Sequence, residues 1–229
     1  MSIHPLAPIS DGAGHDVARP MRASRTLSWK RSERGDGRLV IETLKWTKGG
    51  SGRRVIHEGD FYDPTIDGPV LTAERLAGRV VDTRRYAEGE LLTPRRRLPR
   101  ASADDVDRLL FDYGFRAGVN GDELVQTVGR IFRHWTLTDE QHRQLLRRVL
   151  LADDLLILGS AIDPLGRDVM RIGRGPSPHA PTAALLVSHR VHRVVGQERV
   201  VVDEGGMTLT AFRLWGFLHE VGVIPARQR

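Results

Sequence analysis

The sequence predicts an α+β protein: a small antiparallel β region at the N-terminus, a helical, bundle-like region, and a C-terminal hairpin plus helix. Three observations lead there. Asp36-Gly37, a pair that favours a tight hairpin turn, sits between two runs in which apolar and polar residues alternate. Three later stretches each join a helix-start residue to an apolar stripe of helical period. The charge also divides the chain, since residues 1–100 hold 19 Lys+Arg against 13 Asp+Glu while residues 101–229 hold 16 of each.

Along the chain, residues 1–24 contain Pro5, Pro8, Pro20, Gly12 and Gly14 with little periodicity and read as a flexible arm. Residues 25–82 form a basic β-rich region. With Asp36-Gly37 at the hairpin tip, Leu27 stands opposite Trp46, Trp29 opposite Leu44 and Arg31 opposite Glu42, two apolar pairs and one ion pair. Ser28, Lys30, Ser32 and Arg34 then share the other face with Lys45, Thr43, Ile41 and Leu39. Gly49-Gly50-Ser51-Gly52 turns the chain into a third strand, Arg53 to His57, and Leu71 to Leu76 can form a short helix. Residues 83–100, with six Arg, Pro94 and Pro99, read as an Arg-rich linker.

Residues 101–229 read as a mostly helical domain. The first helix begins at Ser102, with Asp105 three residues on, and carries Val106, Leu109, Leu110 and Tyr113. Asn120 and Glu123 open a second, with Leu124, Val128, Ile131 and Trp135 on one side and Val125 and Phe132 beside them. Thr138 and Gln141 open a third, which buries Leu145, Leu146, Val149 and Leu150. Beyond a Pro-rich and Gly-rich loop, Val191 to Asp203 suits a hairpin about Gly196-Gln197, although Val187 to Val195 also reads as a helix. The segment from Thr208 or Thr210 to Val221 suits a last helix.

Several chemistries are excluded at once. With no Cys there are no disulfides, thiolate metal sites or Cys nucleophiles. No stretch reaches the roughly 20 apolar residues of a membrane span, and the N-terminus lacks the apolar core of a secretory signal, so a cytoplasmic, membrane-free protein is expected. The usual phosphate-cradling glycine loops and the Gly-x-Ser-x-Gly elbow are missing. His57, Glu58, Asp60, Asp63 and Asp67 fall within eleven positions, but their spacing does not fit the EF-hand loop and no Glu-x-Lys element stands on a following strand. No catalytic residue, metal ligand or cofactor is assigned, and a metal-dependent hydrolase or nuclease is the remotest alternative.

The expected activity is therefore binding. Of 35 basic residues only Lys30, Lys45 and Lys48 are Lys, and all lie in the predicted hairpin, whereas the Arg excess is what a GC-rich coding sequence produces. A two-stranded ribbon fits the DNA major groove, and cationic side chains bind phosphates with steep salt dependence. The expected contacts with nucleic acid are Lys30, Arg34, Lys45 and Lys48 from the ribbon and Arg84, Arg85, Arg95, Arg96, Arg97 and Arg100 from the linker. The function expected is an accessory or regulatory nucleic-acid-binding protein. The alternative is a structural or adaptor protein of a larger assembly, with a protein partner or a second copy held through the helical part.

Overall fold

A computed structural model describes residues 19–31, 37–62, 67–68, 71, 75–76, 78–116, 120–174, 182–202 and 208–215. It holds one large antiparallel sheet of nine strands: β1 Ala23–Arg31, β2 Gly37–Trp46, β3 Gly52–Phe61, β4 Arg79–Tyr86, β5 Leu156–Ile162, β6 Asp168–Gly173, β7 Thr182–Ser188, β8 Val194–Val202 and β9 Thr208–Leu214. Their spatial order is β4-β3-β2-β1-β9-β8-β7-β6-β5. The expected division into a small β region and a helical bundle is thus wrong. Two meanders meet at a central β1–β9 seam, and among the described residues three helices of ten to twelve residues pack on one another and, through the middle one, onto β6 and β7, sharing a core with the sheet.

Those helices begin where their caps predict. In α1 (Ala103–Asp112) the Ser102 side chain accepts the Asp105 N–H, and in α2 (Gly121–Phe132) Asn120 accepts that of Glu123. In α3 (Asp139–Leu150), Thr138 and Gln141 form a reciprocal capping box. Their apolar residues form no core separate from the sheet. Leu109, Leu124, Val125, Val128, Ile131, Leu145 and Val149 instead share one core with Leu44, Trp46, Ile172, Leu185, Val187 and Trp215 from the sheet side. A second core on the opposite face joins Leu27, Trp29, Leu39, Ile41, Leu186, Phe212 and Leu214, covered by Tyr62, Leu71, Leu76 and Leu165.

The first hairpin forms, but with Leu27 opposite Ile41, Trp29 opposite Leu39 and Arg31 opposite Gly37. This pairing differs from the expected one by five residues. An odd slip exchanges faces, so Leu39 and Ile41 join Leu27 and Trp29 while Leu44 and Trp46 turn toward the helices. The cause is visible at Gly37, where an added Cβ would lie 2.0 Å from Trp29 Nε1. The glycine opens β2 opposite Arg31 and serves the indole's close packing there. Trp29 in turn donates to the Tyr62 carbonyl at 2.6 Å and stacks on Phe212 with centroids 5.6 Å apart.

Four further expectations change. The predicted third strand extends to Phe61, and the segment read as linker starts as β4. Gly196-Gln197 lies inside β8, whose hairpin partner is β7. Thr208–Leu214 is a strand where a helix was expected: Phe212 and Leu214 alternate into the second core, and the segment completes the seam beside β1. Of the predicted helix at Leu71–Leu76, only Leu71, Arg75 and Leu76 lie among the described residues. No helix among the described residues is long and apolar enough to cross a membrane.

Candidate anion-binding cleft

On the helix-bearing face, the helices leave part of the sheet uncovered. The register places Val40, Ser28, Arg213 and Gln197 directly opposite one another across β2, β1, β9 and β8. The next row of backbone positions runs Arg38, Lys30, Ala211, Arg199. The second half of α2 borders this floor with Gln126, Arg130 and Arg133, enclosing an open cleft of about 670 Å³.

Packing determines how the helix sits. Gly129 lets α2 approach β8, because a Cβ there would lie 2.4 Å from Gln197 Oε1. At the helix end, Ser24 Oγ donates to the Arg133 carbonyl at 2.6 Å, and Met21 and Thr136 exchange backbone hydrogen bonds. Trp46 Nε1 donates to the His134 carbonyl at 2.8 Å and meets Trp135 edge to face at 4.9 Å. The strap Arg130–Thr136 is therefore tied to β1 and β2, and Arg130 and Arg133 are held at the rim.

Five guanidiniums converge on this cleft, in two different states. Arg38 pairs with Glu58 at 3.3 Å and lies over the Phe61 ring, and Arg130 donates to Glu123, Thr127 and the Tyr113 carbonyl. Glu42, the nearby carboxylate, pairs with Arg54 at 3.3 Å. Among the described residues, the guanidiniums of Arg133, Arg199 and Arg213 have no hydrogen-bonding or ion-pair partner. Burial lowers the pKa of half-buried Arg213, and Arg133 adds to the effect while Glu42 opposes it. A partly desolvated cation beside another cation is unfavourable until an anion reaches it.

The residues expected to contact nucleic acid do not come together here. Lys30 takes its backbone place between Arg38 and Ala211, and Arg34 lies outside the described residues. Lys45 is exposed on β2 directly opposite Arg53, which is directly opposite Arg85 on β4. Arg84 is on the reverse face, over the Tyr86 ring at 4.8 Å. Lys48 is exposed in the β2–β3 turn. Arg95 is committed to Asp112 at 2.9 Å and Asp105 at 3.5 Å, fastening its segment to α1. Arg96, Arg97 and Arg100 are exposed, although carbonyls of the segment are held: Arg22 donates to that of Arg96, and Gln141 to those of Pro99 and Arg100. Nor is the ribbon free-standing, since β3 flanks β2 and β9 flanks β1.

The catalytic alternatives find little geometry. No group of three His, Asp or Glu able to hold a metal occurs among the described residues. His57 and Glu58 alternate along β3, Glu58 pairs with Arg38 and Arg79, Asp67 pairs with Arg75, and Asp63 lies outside the described residues. Ser160 Oγ and His189 Nε2 are 3.0 Å apart, but Asp168 approaches that same nitrogen at 3.9 Å. A triad needs the acid on Nδ1. This trio is an exposed polar cluster.

No family model and no curated protein matches this chain. Among solved structures, the MucA/MucB complex of Pseudomonas aeruginosa is similar at 9% identity and a TM-score of 0.25, over 86% of this chain and 50% of that one. This chain thus spans about half the length of that protein, and a superposition so loose carries no argument. The function has to be read from the cleft. Sequence reasoning missed Arg38, Arg130, Arg133, Arg199 and Arg213, which are scattered over 176 positions of a chain rich in Arg. The available signal was local: Arg130 and Arg133 share the end of α2 three residues apart, off its apolar stripe.

Proposed function

We propose that this protein is a binding protein that holds a ligand carrying several phosphate or carboxylate groups in the arginine-lined cleft. The observation that carries this reading is the convergence of Arg133, Arg199 and Arg213 on one cleft without a protein acceptor among the described residues. Arg38 and Arg199 share a row three strand spacings apart, about 14 Å at the usual 4.8 Å per strand, with Arg213 on a strand between them. Cations spread this way suit an extended polyanion better than a single phosphate, and guanidinium forks give each anionic group two parallel donors. The cleft volume lies in the range of small-molecule sites. Titration calorimetry with tripolyphosphate tests the reading. Binding that weakens with salt and is lost in Arg199→Ala/Arg213→Ala supports it; heat-silent titrations, or binding indifferent to that double substitution, overturn it.

A second reading keeps the nucleic-acid partner and moves it to another surface. Lys45, Arg53 and Arg85 form a cross-strand row of three exposed cations on β2, β3 and β4, none with an acidic partner among the described residues. Like charges directly opposite oppose pairing by a few tenths of a kcal/mol to about 1 kcal/mol, and a phosphate backbone laid along the row would relieve that repulsion. Fluorescence anisotropy with labelled duplex DNA and single-stranded RNA decides. Under this reading Lys45→Ala/Arg53→Ala/Arg85→Ala abolishes binding and Arg199→Ala/Arg213→Ala leaves it intact. Binding that survives the triple substitution removes it.

A further inference from the structure

The two edges of the sheet are built differently. β4 carries Arg79, Asp82, Arg84 and Arg85 among its eight residues, the charged design that keeps an exposed edge from pairing with other chains. β5 at the other edge is Leu156-Ile157-Leu158-Gly159-Ser160-Ala161-Ile162, with neither a charge nor a proline. It bonds to β6 on one side and has no strand on the other among the described residues. Ile157 is 62% exposed and Ile162 52%, while Leu150 and Leu151, just before the strand at the end of α3, are 56% and 72% exposed. The single irregularity, a bulge between Ile157 and Gly159, twists the edge without charging it.

We infer that β5 pairs antiparallel with β5 of a second copy of this chain, giving a two-fold dimer with a continuous sheet across the interface. Charge selects this occupant. Antiparallel self-pairing sets only apolar residues, Gly and Ser against one another, so no charge is desolvated. Pairing of β5 with β4 of another copy would bury the Arg79, Arg84 and Arg85 edge against it and would continue head to tail into an open fibre. The charged β4 edge blocks that route and leaves the closed pair. Backbone hydrogen bonds along the edge supply direction, and Leu150, Leu151 and Ile157 supply apolar area. Ile157 stands opposite Ile172, a member of the core beneath the helices, so it lies on the helix-bearing face, as does the end of α3.

Sedimentation velocity on the full chain tests this, with Ile157→Lys and Ile162→Lys as separate variants and Val80→Lys on β4 as control. The expected result is a wild-type dimer, loss of the dimer in both β5 variants with an unchanged far-ultraviolet spectrum, and a dimer retained in the control. A wild-type monomer at every soluble concentration, open-ended growth, or a dimer that survives both β5 substitutions overturns the inference. If the variants do not fold, hydrogen exchange on wild type decides. Protection of the β5 amides that rises with protein concentration supports the pairing, and protection independent of concentration overturns it.

Discussion

At Gly37 a single missing methyl decides a register. The Trp29 indole occupies the space where a Cβ would stand, and its ring nitrogen is satisfied by the Tyr62 carbonyl. Gly37→Ala is expected to cost about 1–3 kcal/mol, the usual range for overpacking a core, read as a lower urea midpoint with an unchanged slope. His142 has the opposite character, a polar group wholly inside the core. It accepts the Val194 N–H at Nδ1 and lies 5.2 Å from the Phe132 ring. Burial, with the Arg193 charge beside it, lowers its pKa to about 3, and burial lowers that of His134 as well. Between pH 6.5 and 3 the unfolded chain therefore binds protons that the native His142 does not. Stability is fully present above pH 6.5 and falls as pH drops, by up to about 1.4 kcal/mol per pH unit for each such histidine. Thermal melts at pH 7 and pH 5 check this: the wild type should lose more stability than His142→Gln over the same interval.

Among elements, the β5–β6 connection is held by a buried ion pair. Asp163 and Arg167 are 0% and 1% exposed, and Arg167 Nε donates to Asp163 Oδ2 at 2.7 Å. The guanidinium also donates to the Trp215 and Val195 carbonyls, and Asp163 Oδ1 accepts the N–H groups of Leu165 and Arg167. One side chain thus ties β6 to β8 and to the end of β9. Arg167→Met leaves a buried carboxylate without its cation and should cost about 3–5 kcal/mol, measured by chemical denaturation; Asp163→Asn in the same chain should recover part of that loss. This scale also shows what was legible in the sequence. The helices were, because Ser102, Asn120 and Thr138 act within four residues of themselves. The first hairpin was legible as a hairpin and not in register, because Gly37 answers to a tryptophan across the strand pair. β9 was not, because Phe212 and Trp215 suit a helical spacing as well as Phe212 and Leu214 suit a strand, and only β1 decides between them. The cleft was beyond local reading, since its arginines meet only after β2, β8, β9 and α2 are in place.

For the whole molecule, the decisive contact joins β1 to β9, two strands far apart in sequence. Leu27 pairs with Leu214 and Lys30 with Ala211, uniting two meanders that are otherwise built from neighbours in sequence. Closing a single pairing so distant in sequence carries a larger loop-closure cost than the sequential hairpins do. Leu214→Ala removes a fully buried side chain at the seam and should destabilise by about 2–5 kcal/mol. If the seam closes after the transition state, stopped-flow measurements will show that loss almost wholly as faster unfolding, with the refolding rate nearly unchanged.

The seam also matters while the protein is being made. β1 leaves the ribosome long before β9, with Leu27 and Trp29 on one face and one row of backbone donors and acceptors unmatched. Among the described residues its partner on that side is β9, which is translated only after β2 to β8. Until β9 is made, the nascent chain therefore carries an open sheet edge in the middle of its future fold, the kind of surface that invites pairing with another nascent copy. Completing β9 satisfies β1 and, in the same step, brings Arg213 and Arg199 onto one floor with Arg38, so a product cut short before β9 would lack the cleft as well as the seam.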